Sequence, residues 1–246
     1  GARAADRAER PADRARPHEG RIRGARLTQL RTPLTSIIGY LELILDREAG
    51  PVTPTQERFL KTIDRNARGL SAIVGDLLFL ASADAGKLTL HTEDVDLAEV
   101  VIDAVEACGP YADSHGIALT VDADGVPVVR GDRARLGQLA DNLLSNAIKF
   151  TPEGGRVEVR GRADNNHAVI EVSDTGIGIP VDEIPRLFTR FFRASSATEH
   201  AISGTGLGLA IVKWIADAHH GAMEVDSRAG VGTTMRLLLP LGADEA

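Results

Sequence analysis

Between residues 27 and 78 the chain writes one pattern twice. Leu27, Leu30, Leu34, Ile37, Ile38, Leu41, Ile44 and Leu45 recur at three- and four-residue spacing. After a break at Gly50, Pro51 and Pro54 the same period restarts with Phe59, Leu60, Ile63, Leu70, Ile73, Val74, Leu77 and Leu78. That period places apolar residues on one stripe of a helix. The first helix should end near Asp46, and Thr53 or Thr55 is placed to cap a second that ends between Asp84 and Gly86. Two such helices joined by a short loop form an antiparallel hairpin with too little interior for both stripes, so a dimeric four-helix bundle is expected.

What precedes the stripe is a different material. Residues 1–26 hold eight arginines against Asp6, Glu9, Asp13 and Glu19, and Ile22 is their only large aliphatic residue. Such a segment cannot bury enough to order itself and reads as a flexible or frayed helical lead-in. The whole chain carries a net charge of −7, so no nucleic-acid partner is expected. No apolar run approaches the ~18 residues of a membrane span, and the Arg-rich start lacks the apolar segment of a secretory signal. The single cysteine, Cys108, excludes an internal disulfide framework and a cysteine zinc cluster and reads as a small core residue. A soluble cytoplasmic fragment, whose parent could still be membrane-anchored, is the expectation.

A second domain should begin near residue 90 and run to 241, after a hairpin domain of residues 27–86. Leu97–Cys108, Arg133–Phe150 and Gly206–Ala218 read as helices. Ile117–Val121, Arg156–Arg162, Ala168–Ser173, Ala222–Ser227 and Thr233–Pro240 read as strands. Strands and helices mix without strict alternation, which favours α+β over a doubly wound parallel sheet.

Two glycine-rich turns carry chemistry here: Asp174-Thr-Gly176-Ile-Gly178-Ile179-Pro after a strand, and Gly204-Thr205-Gly206-Leu207-Gly208 before a helix. Glycines let backbone approach a phosphate, and a helix N-terminus offers free N–H groups to an anion. The chain has no Walker-type lysine loop, and the second turn runs G-x-G-x-G, unlike a dinucleotide fingerprint. A third element adds weight. Asn142, Asn146 and Lys149 fall at i, i+4, i+7 on one helical face amid apolar neighbours, costly unless ligands occupy them. Amide oxygens suit magnesium, and the lysine suits phosphate.

The ordered set Asn142/Asn146/Lys149, Asp174 to Gly178, Leu187-Phe188-x-x-Phe191-Phe192-Arg193 and Gly204 to Gly208 resembles the N, G1, F and G2 boxes of sensor histidine kinases. Gly232-Thr233-Thr234 resembles their final Thr-containing box. Upstream, Leu30-Arg31-Thr32-Pro33-Leu34 resembles the dimerisation and phosphoacceptor box. The resemblance implies a dimeric hairpin followed by an α/β sandwich that binds ATP with Mg²⁺, a fold shared with Hsp90 and gyrase. By that likeness Asp174 would accept the adenine amino group, Asn146 would hold Mg²⁺, and Asn142 and Lys149 would contact phosphate. Gly204, Thr205, Gly206, Leu207 and Gly208 would wrap the triphosphate, with Phe150, Gly176, Gly178, Ile179, Arg193 and Thr233 completing the site. Residues 193–203 would form a lid, and Phe188, Phe191 and Phe192 would hinge it or simply fill core.

One departure changes the expected activity. Where the family has His-Glu before Leu-Arg-Thr-Pro-Leu, this chain has Thr28-Gln29. An unactivated hydroxyl needs a base, which a glutamine cannot supply. Autophosphorylation is therefore doubtful, and a pseudokinase or response-regulator phosphatase is expected. Thr32, one turn after Thr28, would position water, and a receiver domain or another histidine kinase would be the partner. Alternatives are an active kinase using another acceptor or working in trans, and an ATP-hydrolysing clamp. The clamp class resembles itself in a glutamate four residues before the metal-binding asparagine, where this chain has Asn142.

Overall fold

The computed structural model describes the backbone of residues 17–241 and the side chains from Gln29 onward. Residues 1–16, and so most of the expected lead-in, lie outside the described residues. The chain divides into two compact units, Gly1–Ala85 and Gly86–Ala246.

The first unit is a hairpin of α1 (Pro17–Leu45) and α2 (Pro54–Asp84). Helix α1 begins ten residues before the apolar stripe and passes through Gly20 and Gly24. The part of the lead-in from Pro17 onward is therefore helical: once a helix is nucleated each further residue adds a bond, and the neighbouring Ala and Arg are strong helix formers. At the start of α2, Thr53 Oγ1 accepts from the Gln56 N–H at 3.3 Å, while Gln56 Oε1 accepts from the Thr53 N–H at 2.8 Å. This reciprocal box satisfies two of the donors a helix start leaves open. Leu34 and Leu41 on α1 and Ala67 and Val74 on α2 are buried, each pair one heptad apart. A second seam stays open: Leu30 and Ile37 on α1, and Ile63 and Leu70 on α2, share the heptad spacing and are exposed. Arg68 ties the helices at its guanidinium, 2.6 Å from Glu42 and 2.8 Å from Asp64.

In the second unit a mixed five-stranded sheet runs β2 (Ala118–Asp122), β4 (Arg156–Asp164), β5 (His167–Asp174), β7 (Gly232–Pro240), β6 (Ala222–Arg228). Only the β2–β4 pair is parallel. Helices α3 (Leu97–Ser114), α4 (Arg133–Phe150) and α6 (Gly208–Ala218) lie against the sheet. A two-stranded ladder of β1 (Glu93–Val95) and β3 (Val129–Gly131) flanks them. A 3-10 turn (Val181–Arg186) and a short helix α5 (Ser195–Glu199) fall within the long connection from β5 to α6.

Alternation decides which sheet face is covered. Val157, Val159, Ile170, Val172, Leu237 and Leu239 are buried on the helix side. On the other side the register lines up Asp122, Arg160, Glu171, Arg236 and Glu224 across all five strands, with alternating sign. Arg236 Nε donates to Glu171 at 2.6 Å within that row. Opposite charges set side by side stabilise the ladder and keep this face in water.

Helix α3 runs six residues beyond the expected end at Cys108, through Gly109 and Pro110. A proline removes one bond near a helix end, and fully buried Ala112 anchors the last turn. Cys108 is only half-buried rather than a core residue. Burial, and then the nearby Asp141 carboxylate, push its thiol up, which keeps it unreactive.

Candidate nucleotide site

Strand β5 turns Ala168, Ile170, Val172 and then Asp174 toward the helices, so the last step of an apolar row is a carboxylate. Thr233 on β7 lies opposite Asp174, and Ser227 on β6 lies opposite Thr233, giving the covered face a polar end. Asp174 Oδ1 accepts from the N–H of Gly176 at 2.8 Å and of Thr233 at 3.2 Å. Burial nevertheless pushes this carboxyl up to about 6, against the pull of those two N–H groups. Its Oδ2 has no partner among the described residues and is left for a ligand.

The first glycine turn is folded tightly around this carboxylate. Gly178 has φ +62, and a Cβ there would meet the Arg228 carbonyl at 2.0 Å. Gly232 has φ +138, with the Asp174 carbonyl equally close. Neither position tolerates a side chain. Gly176 sits against the Phe150 carbonyl, which accepts from the Ile177 N–H at 3.1 Å. Phe150 thus joins the end of α4 to the turn through its main chain, while the Lys149 ammonium lies 5.3 Å from its ring centre.

Helix α4 is capped by Asp132, whose side chain accepts from the Arg135 N–H at 3.1 Å. It presents Asn142, Asn146 and Lys149 as half-buried residues between the buried Leu143, Leu144, Ala147 and Ile148. Asn142 Nδ2 donates to the Gln138 carbonyl at 2.8 Å, so its Oδ1 faces Gly208, where a Cβ would come within 2.6 Å. A Cβ on Gly204 would come within 2.8 Å of Lys149 Nζ. The second glycine turn therefore lies directly on the amide-and-lysine face. Burial, and then the charge of Arg193, lower the Lys149 pKa. Two cations face each other with no carboxylate on the lysine among the described residues, an arrangement that an anion would relieve.

A divalent cation fits the same corner. No cluster of three or more His, Cys, Asp or Glu suited to a metal occurs among the described residues. The half-buried Asn146 makes no side-chain hydrogen bond among them, leaving its oxygen available. Magnesium held by one amide, phosphate oxygens and water suits such a donor set.

The connection above the site is partly anchored. Ser196 is buried and its Oγ donates to the Gly178 carbonyl at 2.9 Å, while the Ser195 N–H donates to Glu183 at 2.9 Å. The first half of the expected lid is thus packed down, and residues 200, 201 and 203 stand exposed beyond it. Arg193 donates to the Ile202 carbonyl, and Thr205 Oγ1 accepts from the N–H of buried Leu207 at 3.2 Å. Phe191 is 64% exposed at φ +61 and its N–H donates to the Gly206 carbonyl at 2.9 Å, so it is not core. Phe192 lies under the Arg186 guanidinium at 4.5 Å.

Sequence reasoning missed Ser227, Ser196 and Glu183. A signal for the first existed: Met223, Val225 and Ser227 alternate on one face of β6, and the serine interrupts the apolar row where Asp174 interrupts its own. In the hairpin, Gln29 and Thr32 are exposed on α1, and the Thr28 side chain lies outside the described residues.

Comparison with known proteins gives the family of both units. The family described as Histidine kinase-, DNA gyrase B-, and HSP90-like ATPase matches residues 131–243. The His Kinase A (phospho-acceptor) domain matches residues 29–86. The circadian input-output histidine kinase CikA of Thermosynechococcus vestitus is 37% identical over 88% of this chain, which spans 30% of that protein. The sensor protein DivL of Caulobacter vibrioides is 36% identical over 86% of the chain and 27% of its own length. Among solved structures, full-length ShkA in complex with AMPPNP superposes with a TM-score of 0.77 at 28% identity, over 94% of this chain and 47% of that one. The mycobacterial sensor histidine kinase MprB is 38% identical with a TM-score of 0.54, over 60% of this chain and 97% of that one. With a phospho-acceptor-type hairpin followed by an ATPase unit of this type, the chain belongs to the sensor histidine kinases.

Proposed function

We propose that this chain is a nucleotide-binding core of a two-component sensor in which the usual autophosphorylation route is closed. The observation that carries the reading is one contrast. The nucleotide-type boxes are complete in the sequence and both glycine turns lie against the C-terminal half of α4, while Thr28-Gln29 stand where an imidazole and a carboxylate are needed.

In that site Asp174 Oδ2 would accept from the adenine amino group, and Asn142 and Lys149 would meet the phosphates. Asn146 would hold Mg²⁺, which would supply charge neutralisation to the phosphates. Asn142 carries an amide that takes no proton at neutral pH, so this face of the site does not activate water. The ShkA structure, bound to AMPPNP, supports a triphosphate as the occupant. The open hairpin seam supports homodimerisation through the hairpin, and the exposed Thr32 supports a phosphatase or regulatory output toward a response regulator receiver domain.

Incubation with γ-labelled ATP and Mg²⁺, followed by acid and base treatment, tests this. Bound ATP with no covalent label is the expected result. Acid-labile label on the chain overturns the closed route, acid-stable label assigns Thr28 as acceptor, and steady phosphate release assigns the hydrolysing clamp.

A further inference from the structure

The polar end of the sheet carries hydrogen-bond wiring that the function above does not use. Ser227 is buried on β6 and its hydroxyl meets three groups. The Ile179 N–H reaches its Oγ at 2.9 Å, the Gly232 carbonyl lies 2.9 Å away, and Thr233 Oγ1 lies 2.8 Å away. A serine hydroxyl has one proton and two lone pairs. The Gly232 carbonyl can only accept, so the serine proton goes there. The Ile179 N–H can only donate, so it fills one lone pair. The three contacts coexist only if Thr233 donates its own proton into the second.

We infer that Ser227 is a positioning residue that fixes base specificity, by forcing the Thr233 hydroxyl to present only acceptor lone pairs to the base pocket. Thr233 stands opposite Asp174 on the covered face, and Asp174 Oδ1 is already filled by two N–H groups. The pocket end therefore offers two acceptors, the free carboxylate oxygen and the threonine oxygen. A purine with an exocyclic amino group at C6 supplies N–H donors to both. A 6-oxo purine turns carbonyl lone pairs toward them and is rejected, because a buried acceptor left facing an acceptor is costly.

This inference rests on the proposal that ATP occupies the cleft. Its test is a ratio: the affinities of Mg-ATP and Mg-ITP for the full chain, measured by calorimetry. The two nucleotides differ only in the group at C6 and in the proton that N1 carries in ITP. Ser227→Ala frees the Thr233 hydroxyl to rotate and donate, so the ATP-over-ITP preference should fall about tenfold, the order expected for one hydrogen bond. Thr233→Val, which keeps the shape and removes the oxygen, should lower it similarly. The double variant should lower it no further than Thr233→Val alone, since both act through one atom.

Equal weakening of both nucleotides in Ser227→Ala, with the ratio unchanged, overturns the inference and leaves ATP binding intact. Additive effects in the double variant also overturn it. Absence of ATP binding by the parent chain instead overturns the functional reading, and the inference with it. Should Ser227→Ala not fold, Ser227→Cys keeps the volume, weakens the acceptor and is read in the same way.

Discussion

The two units satisfy their apolar residues in opposite ways. In the ATPase unit the core closes within one chain: Leu144, Ile148, Ile211, Ile215 and Leu237 are each at most 1% exposed. Among the described residues of the hairpin only Leu34, Leu41, Ala67, Val74 and Leu80 are buried, while Leu30 and Leu70 remain about half exposed at 51% and 50%. The same helical period thus produces a finished core in one region and half of one in the other. A sheet supplies the wide apolar surface that three helices can cover, whereas two helices have only each other. The ATPase unit closes its core without a partner, whereas the hairpin leaves an apolar seam that the proposed assembly would cover.

The largest effect expected from this contrast is on assembly. Placing carboxylates on the open seam, with Ile37→Asp and Leu70→Asp together, should weaken dimerisation at least about a thousandfold, given the several kcal/mol an unpaired buried charge costs. Sedimentation would read this, and ATP affinity should stay unchanged. A dimer that survives both substitutions breaks the comparison, because the seam would then not be the interface.

Truncations should next divide the units by size of effect. Ile211→Ala in the closed core should cost about 2–5 kcal/mol in the unfolding of the ATPase unit. Ile63→Ala, on the open seam, should cost well under that in a monomeric background and show its effect only through dimer dissociation. Denaturant unfolding followed at several protein concentrations separates the two.

Asp174 sharpens the contrast differently, because there the ATPase unit buries a carboxylate at a cost in stability. Its carboxyl is raised to about 6. A raised acid favours folding while protonated, so that contribution is present at low pH and lost as pH rises through about 6. Holding the charged form at pH 7 costs on the order of 3 kcal/mol, from about 1.4 kcal/mol per unit. Asp174→Asn should therefore gain stability relative to the parent between pH 5 and pH 7, while weakening ATP by about 1–3 kcal/mol. ATP affinity of the parent should rise through the same pH range. A flat calorimetric profile from pH 5 to 7.5 would remove Asp174 from the base site.

How much of this was legible in the sequence follows from the range over which each interaction acts. The stripes of α1 and α2, the Thr53 cap and the span of α4 are set by residues within a turn or two of one another, and periodicity is enough to read them. The amide row of α4 was legible for the same reason. Ser196 and Glu183 were not, because their partners are Gly178 and the Ser195 N–H, brought together by the lid rather than by spacing; at Ser227 the break in the β6 alternation was visible, but its partners Ile179 and Gly232 were not. Short elements such as β3 and α5 were missed because three to five residues carry too little period to register. The run of α3 through Pro110 shows tertiary burial, at Ala112, outweighing a local breaker.

The smallest expected effect lies at helix ends, where α6 departs from both α2 and α3. Helices α2 and α3 are followed by Gly86 and Gly116, both in the left-handed region at φ +62 and +64. Helix α6 ends in the same geometry, with the Gly221 N–H donating to the Ala216 carbonyl at 2.8 Å and the His220 N–H to Asp217 at 3.0 Å. That pair of bonds puts His220, not Gly221, in the left-handed position, at φ +57. An L-residue there costs roughly 1–2 kcal/mol, part of which glycine gives back through its freer unfolded chain. His220→Gly should thus stabilise the ATPase unit by about 0.5–1 kcal/mol, and His220→Val, with a branched Cβ, should destabilise it by at least about 1 kcal/mol. His220 is exposed, so no packing changes accompany either substitution. If thermal unfolding places the valine variant level with the parent, the α6 cap relaxes out of the left-handed region, and its bonds contribute less than those that close α3 at Gly116.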